Sequence, residues 1–319
     1  MASCSANQGE KSIEELKGKR CRNPFIIWFR ERSGSSHLQT ILNNHPDIAC
    51  RGEDFFHSAP VNIPASDDPN EFQFRGNTFI RRIKNRDRNL KPVDRPSTEQ
   101  IVKHLYFIYS LNRNACGYKL KFPIQVDMYP EVCDELRRLS SELRIIVLHR
   151  KNILKQVISR FNMLRIKAAA GACNLHRNAN KAQLDTKLKV DVKRVLGLAR
   201  HFKEEENTFF EDVKKLQQQT DPLNVLRIDY EDLLADEVGQ SQRAFEFLGA
   251  APDSMVKSLY QKATPDNLAS VVENFDELAQ AVAGTEFEAM LYDNPAVVKL
   301  TWPHTTQRQL SLSQRRRAS

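Results

Sequence analysis

Five consecutive β-branched and aromatic residues, Phe25-Ile-Ile-Trp-Phe29, run into a short polar turn, Arg30-Glu-Arg-Ser-Gly-Ser-Ser36. His37-Leu-Gln-Thr-Ile-Leu42 follows at helical spacing. A run that is apolar at every position cannot turn one face to water, so it predicts a strand buried on both sides. Ser35 or Ser36 is placed to cap the helix, and Asn43-Asn-His-Pro46 ends it. The pattern recurs at Leu143–Leu148 (LRIIVL), which ends in His149-Arg150 and leads into a helix over 152–170, with Gly171 as its stop. A third run, Val225–Ile228, precedes Tyr230-Glu-Asp-Leu233 and a helix through Phe247. A short strand is expected over Ala115–Leu120, and helices over 97–112, 130–139 and 187–218. Strands this far apart, with helices between them, cannot be joined as hairpins. They predict an α/β domain with a central parallel sheet flanked by helices. Ligands in such folds bind at the carboxyl ends of the strands, where Arg32 and Arg150 both fall.

Composition sets outer limits. A chain of 319 residues, 40% hydrophobic and 28% charged, can bury a large core without staples. No apolar run approaches the ~18 residues of a membrane span, and the opening MASCSANQGEKSIEELKGKR lacks the apolar centre of a secretory signal. The six cysteines (4, 21, 50, 116, 133 and 173) form no C-x-x-C pair and no metal-ligand spacing. They read as reduced thiols of a cytoplasmic protein that needs no metal. The expected organisation is a flexible N-terminal segment over 1–21 with one short helix from Ser12, a single domain over 22–300, and a basic tail over 301–319.

The net charge of +8 is concentrated. Residues 75–95 hold eight Arg or Lys against Asp87 and Asp94, and the last twenty residues carry Arg308, Arg315, Arg316 and Arg317 with no acid. The remainder is nearly neutral. Such a distribution suits a local anionic partner, or a solvated loop and tail, better than a nucleic-acid surface.

A Ser- and Gly-rich turn between strand and helix is a phosphate-binding device. The helix N-terminus offers unpaired N–H groups, Gly34 lets the backbone approach an anion, and Ser33, Ser35 and Ser36 add hydroxyl donors. Arg32 would supply charge-assisted bonds. G-x-x-x-x-G-K-[ST] is absent, which counts against an ATPase or kinase. With these residues in view, Phe25–Pro46 (FIIWFRERSGSSHLQTILNNHP) resembles the 5′-phosphosulfate-binding segment of sulfotransferases that use 3′-phosphoadenosine 5′-phosphosulfate (PAPS). Leu143–Phe161 (LRIIVLHRKNILKQVISRF) is similar to their 3′-phosphate-binding segment, in which an arginine at a strand end pairs with a serine on the next helix. The spacing from Arg150 to Ser159 is most similar to the bacterial trehalose 2-sulfotransferase type. Val225–Leu234 and Phe245–Gly249 match the same families' later strand and helix, so the resemblance spans residues 22–250. It implies a sulfotransferase fold with one P-loop-like domain, and PAPS as co-substrate held by Arg32, Ser33, Gly34, Ser35, Ser36, His37, Arg150, Ser159 and Tyr230.

The resemblance also implies catalytic roles. Arg51-Gly-Glu-Asp-Phe-Phe56 is similar to the Gly-Glu stretch of the trehalose enzyme and of tyrosylprotein sulfotransferases. The family's base maps onto Glu53 if the match is anchored on the glycine, and onto Asp54 if it is anchored on the phenylalanines. Glu53 is preferred for reach. A carboxylate positioned on an attacking hydroxyl contributes ~10²–10⁴-fold. Gly117-Tyr-Lys-Leu-Lys121 looks like the family's Gly-x-Lys strand, with Lys119 toward the leaving oxygen and Lys121 as the fallback on the same face. His37 stands where the family is usually apolar. It is either an alternative base or a packed ring. His149 is read as core packing.

The implied acceptor is small and polar, with a carbohydrate hydroxyl first, a natural-product alcohol second and a peptide tyrosine third. The basic 57–95 excursion and the 160–185 stretch are placed to select it. Phe55, Phe56, Phe72 and Phe74 are candidates for stacking on it. Two other classes fit a bare anion signal. A P-loop kinase would need the missing lysine. A non-catalytic nucleic-acid-binding protein would need aromatics among its basic residues, and 75–95 holds only Phe79. No nucleic-acid or membrane partner is expected.

Overall fold

The apolar runs assemble around β1 (Asn23–Arg30), every residue of which is buried. Among the residues described by the computed structural model (12–53, 97–122, 130–170, 187–219, 224–252 and 267–292), four further strands complete one sheet. These are β2 (Ile48–Arg51), β3 (Ala115–Phe122), β4 (Arg144–His149) and β5 (Val225–Asp229). The order is β2-β3-β1-β4-β5, and all pairings are parallel. Asp54, the 57–95 excursion, residues 171–186 and the tail over 301–319 lie outside the described residues.

Side chains of successive strand residues point to opposite faces, and the core divides accordingly. Ile26 and Trp28 join Tyr118, Leu120, Ile145 and Val147 on one face. Phe25, Ile27 and Phe29 join Ile146, Leu148 and Ile228 on the other. The first face is covered by α3 (Thr98–Tyr109), α4 (Pro130–Arg138) and the later turns of α6 (Val192–Gln219). The second is covered by α2 (Ser35–Asn43) and α8 (Glu237–Phe247), the latter following α7 (Tyr230–Ala235). Each fully buried Ile or Phe of β1 contributes roughly 1.5–3 kcal/mol of transfer free energy. A third apolar cluster joins α5 (Ile153–Ala170) to the first turns of α6, with α9 (Leu268–Val271) and α10 (Phe275–Val282).

Local sequence explains the ends. Ser97 and Gln100 form a capping box on α3, and Ser12 with Glu15 does the same for α1 (Ile13–Gly18). Although α1 falls in the segment read as a flexible lead-in, its Leu16 is buried against Tyr106 and Phe107. Three details differ from the sequence reading. The N-cap of α2 is Gly34 rather than a serine, and Ser35 is the first helical residue. β2 went unread because a four-residue edge strand, alternately buried and half-buried, carries too little signal. α6 starts at Val192, and Leu188 upstream of it bridges to Val272 instead.

After β3 the chain crosses over β1 to reach β4. The winding therefore changes direction at β1, and the carboxyl ends of β1, β3 and β4 converge where an α/β sheet forms its crevice.

Candidate active site

The turn after β1 is left-handed twice, at Arg32 (φ 61°) and at Gly34 (φ 90°). A non-glycine residue there costs about 1–2 kcal/mol, so surrounding contacts must hold Arg32 in place. Two do. The Arg150 Nη1–H donates to the Arg32 carbonyl at 3.2 Å, and the Arg32 Nε–H donates to Ser159 Oγ at 3.2 Å. The β1–α2 turn is thereby tied to the β4–α5 junction. Gly34 is required twice over, because a Cβ there would stand 2.2 Å from the Tyr230 ring. That ring also lies under the Arg150 guanidinium, 4.9 Å from its carbon. Tyr230, at the start of α7, thus wedges between the two arginine-bearing ends.

No side chain caps α2 at Gly34. Its first N–H groups and the positive end of its dipole are therefore left without a side-chain cap at the carboxyl end of β1. Ser33 Oγ and Arg150 Nε are buried and have no hydrogen-bond partner among the described residues. Leaving a buried donor unmatched costs ~1–3 kcal/mol, and these two, among several such atoms in the described residues, sit at the two ends tied together by Arg32.

The β3 side supplies a second group. Lys119, 4% exposed, donates from Nζ to Ser36 Oγ at 3.2 Å and lies 3.6 Å from Glu53 Oε1. Its backbone N–H donates to the Gly52 carbonyl, so β3 itself positions the Gly52-Glu53 turn. Gly117 allows β3 close to β1, since a Cβ there would be 2.2 Å from the Phe25 carbonyl oxygen. A carboxylate, an ammonium and a cradle hydroxyl stand in one line of contacts. Asp54, the alternative carboxylate, lies outside the described residues.

Lys121 points the same way but pairs with Glu31 at 3.2 Å. Glu31 also meets Arg160 at 3.4 Å, and its carbonyl accepts from Gln156 Nε2 at 2.9 Å. Burial pushes the Glu31 carboxyl up, but Lys121, Arg160 and Arg32 outweigh burial and hold it below its ordinary value. Sequence reasoning did not select Glu31. Its signal was an acid inside an anion-binding turn, between Arg30 and Arg32, which calls for cations nearby. His37 is not brought to Glu53 or Lys119. Its Nε2 lies 2.7 Å from Glu237 Oε2, and its ring meets the edge of Tyr230 at 6.3 Å.

His149, one residue before Arg150, is buried but is more than packing. Its Nε2 is 2.7 Å from Glu206 and its Nδ1 3.1 Å from Asp229. Burial raises both carboxyls, yet their partners bring both below their ordinary values. These partners are His149 and Lys203 for Glu206, and His149, Arg227 and Lys151 for Asp229. Among the described residues, no group of three or more His, Cys, Asp or Glu could hold a metal ion, and no helix is long and apolar enough to cross a membrane.

Comparison with known proteins adds a family. The model of the Sulfotransferase family matches residues 24–253. No curated protein sequence matches the chain. Among solved structures, a sulfotransferase from Alicyclobacillus acidocaldarius is similar at 19% identity and TM-score 0.44, covering 87% of this chain and 99% of that one. The sulfotransferase domain from the curacin biosynthetic pathway is similar at 16% identity and TM-score 0.42, covering 90% and 95%. A mouse sulfotransferase complexed with PAP is similar at 15% identity and TM-score 0.34, covering 97% and 86%.

Proposed function

This chain belongs to the sulfotransferase family, and from that premise we propose that it moves a sulfuryl group from PAPS to a hydroxyl of a small polar acceptor, a carbohydrate or a natural-product alcohol. The observation that carries the reading is the tie between two anion-binding ends. Arg32 bonds Ser159 and accepts from Arg150, while the buried donors Ser33 Oγ and Arg150 Nε have no hydrogen-bond partner among the described residues. A nucleotide anionic at both ends suits such a pair of cradles, and the residues present fit it.

When bound, PAPS supplies an activated sulfuryl group. The turn Ser33-Gly34-Ser35-Ser36 and the α2 N-terminus would hold its 5′ end through hydroxyl and backbone N–H donors. Arg150 and Ser159 would hold the 3′-phosphate, Arg150 as a planar fork stacked on Tyr230. Lys119, held by Ser36 and Glu53, presents a positive charge beside the cradle. Glu53 is the carboxylate on that side and would take the acceptor's hydroxyl proton.

Calorimetry with 3′-phosphoadenosine 5′-phosphate in metal-free buffer tests this reading. One-site binding is expected, and no detectable binding overturns it.

A further inference from the structure

A cleft of about 390 Å³ opens between α5 and α6; it lies outside the residues given catalytic or nucleotide-binding roles above, while its α5 wall begins the 160–185 stretch read as selecting the acceptor. Its walls are Arg160, Phe161 and Leu164 on α5, and Arg194, Gly197 and Leu198 on α6, with His201 at its rim. The spacings, i, i+1, i+4 on one helix and i, i+3, i+4, i+7 on the other, put each set on a single helical face. Leu164 is 46% exposed, which is unusual for a leucine in a wall of this kind. The Arg194 guanidinium crosses the cleft to lie 5.5 Å from the Phe161 ring centre, and Arg160 lies 5.8 Å from that of Phe202. None of the lining residues is acidic. Carboxylates bonded to lining residues are already committed: Glu205 to His201 at 3.2 Å, Glu31 to Lys121 and Arg160, and Asp191 to the Arg194 backbone N–H.

We propose that this cleft is a second binding site, for a small amphipathic organic anion. Its volume lies at the small-molecule end of the usual ~300–1,000 Å³ range. An apolar ring or chain would rest on Phe161, Leu164 and Leu198, and a carboxylate or sulfonate would sit between the two guanidiniums. Arg160 also connects the cleft to the crevice, because it follows Ser159 on α5 and shares Glu31 with Lys121. An anion in the cleft therefore competes with Glu31 for Arg160. Gly197 provides the space, since a Cβ there would meet no atom within 4 Å.

The test is a fluorescence titration of the full chain with 8-anilinonaphthalene-1-sulfonate, repeated with saturating 3′-phosphoadenosine 5′-phosphate. Saturable one-site binding that survives the nucleotide is expected. Absence of saturable binding, or displacement by the nucleotide, overturns the proposal. Gly197→Phe, whose Cβ would meet no atom within 4 Å, should fill the cleft and abolish the site. Arg194→Glu should weaken it by about tenfold or more, a loss of about 1.4 kcal/mol. The uncharged analogue N-phenyl-1-naphthylamine should bind at least about tenfold more weakly than the sulfonate, by the same arithmetic. Circular dichroism confirms that each variant is folded. Folded variants that bind the dye as wild type does, or equal affinity for the two dyes, would overturn the site or its anion preference. Glu31→Gln, by releasing Arg160, should tighten dye binding, and unchanged or weaker binding would overturn the competition for Arg160. Because the readout is dye binding, these outcomes stand whether or not sulfuryl transfer is demonstrated.

Discussion

His149 and Arg150 are neighbours at the end of β4, both buried, and their surroundings are opposite in kind. His149 sits between Glu206 and Asp229, and these acids are themselves engaged by Lys203, Arg227 and Lys151. Arg150 rests on the Tyr230 face and donates to one backbone carbonyl, while its Nε finds no described acceptor. One is a closed ionic cluster, and the other keeps a buried donor with no acceptor among the described residues. The comparison teaches that burial alone does not distinguish structural charge from ligand-binding charge. What distinguishes them is whether the protein has supplied the counter-groups.

Five measurements bear on that division, beginning with the largest effect. Glu53→Gln on the crevice side should lower turnover by ~10²–10⁴-fold while leaving calorimetric affinity for 3′-phosphoadenosine 5′-phosphate close to wild type. Equal loss of both would assign Glu53 to binding. Glu206→Ala on the closed side should cost about 3–5 kcal/mol in denaturant unfolding, because it removes the buried carboxylate that partners His149 Nε2. Its nucleotide affinity should not change. The same cluster predicts a pH effect. Glu206 and Asp229 have folded-state pKa values below their unfolded ones, so their stabilisation is fully present above about pH 4–5 and is lost as pH falls through the folded values. Unfolding midpoints measured from pH 7 to pH 3 should fall, and Glu206→Ala should flatten the decline.

Arg150→Ala should weaken nucleotide binding by about 10- to 100-fold, the range for hydrogen bonds to charged groups. Its unfolding midpoint should move far less than that of Glu206→Ala, and the reverse ranking would erase the distinction between the neighbours. Ser159→Ala is the smallest. It removes one hydroxyl and should reduce affinity about fivefold, or ~1 kcal/mol.

Several of these residues could be read in the chain before the structure was known, and the reasons differ. β1 and β4 were legible because strands buried on both faces must be apolar throughout, and Arg32 and Arg150 followed from the ends of those runs. β2 was not, because an edge strand of four residues leaves half its positions free of the core. Glu31 was missed because its importance depends on Lys121 and Arg160, 90 and 129 positions away. The packing reading of His149 caught its burial but not Glu206 and Asp229, which arrive from α6 and the end of β5.

The sequence by itself determined the parallel α/β sheet and the two segments that end in Arg32 and Arg150. These follow from local periodicity and from residue types that only such strand ends require. Tertiary structure decided how the segments meet. It put Arg32 on Ser159, Tyr230 against Gly34 and Lys119 between Ser36 and Glu53, and it turned His37 to Glu237. Each of these contacts joins elements distant in the chain. Their geometry is set by strand order and helix packing, which no local window encodes.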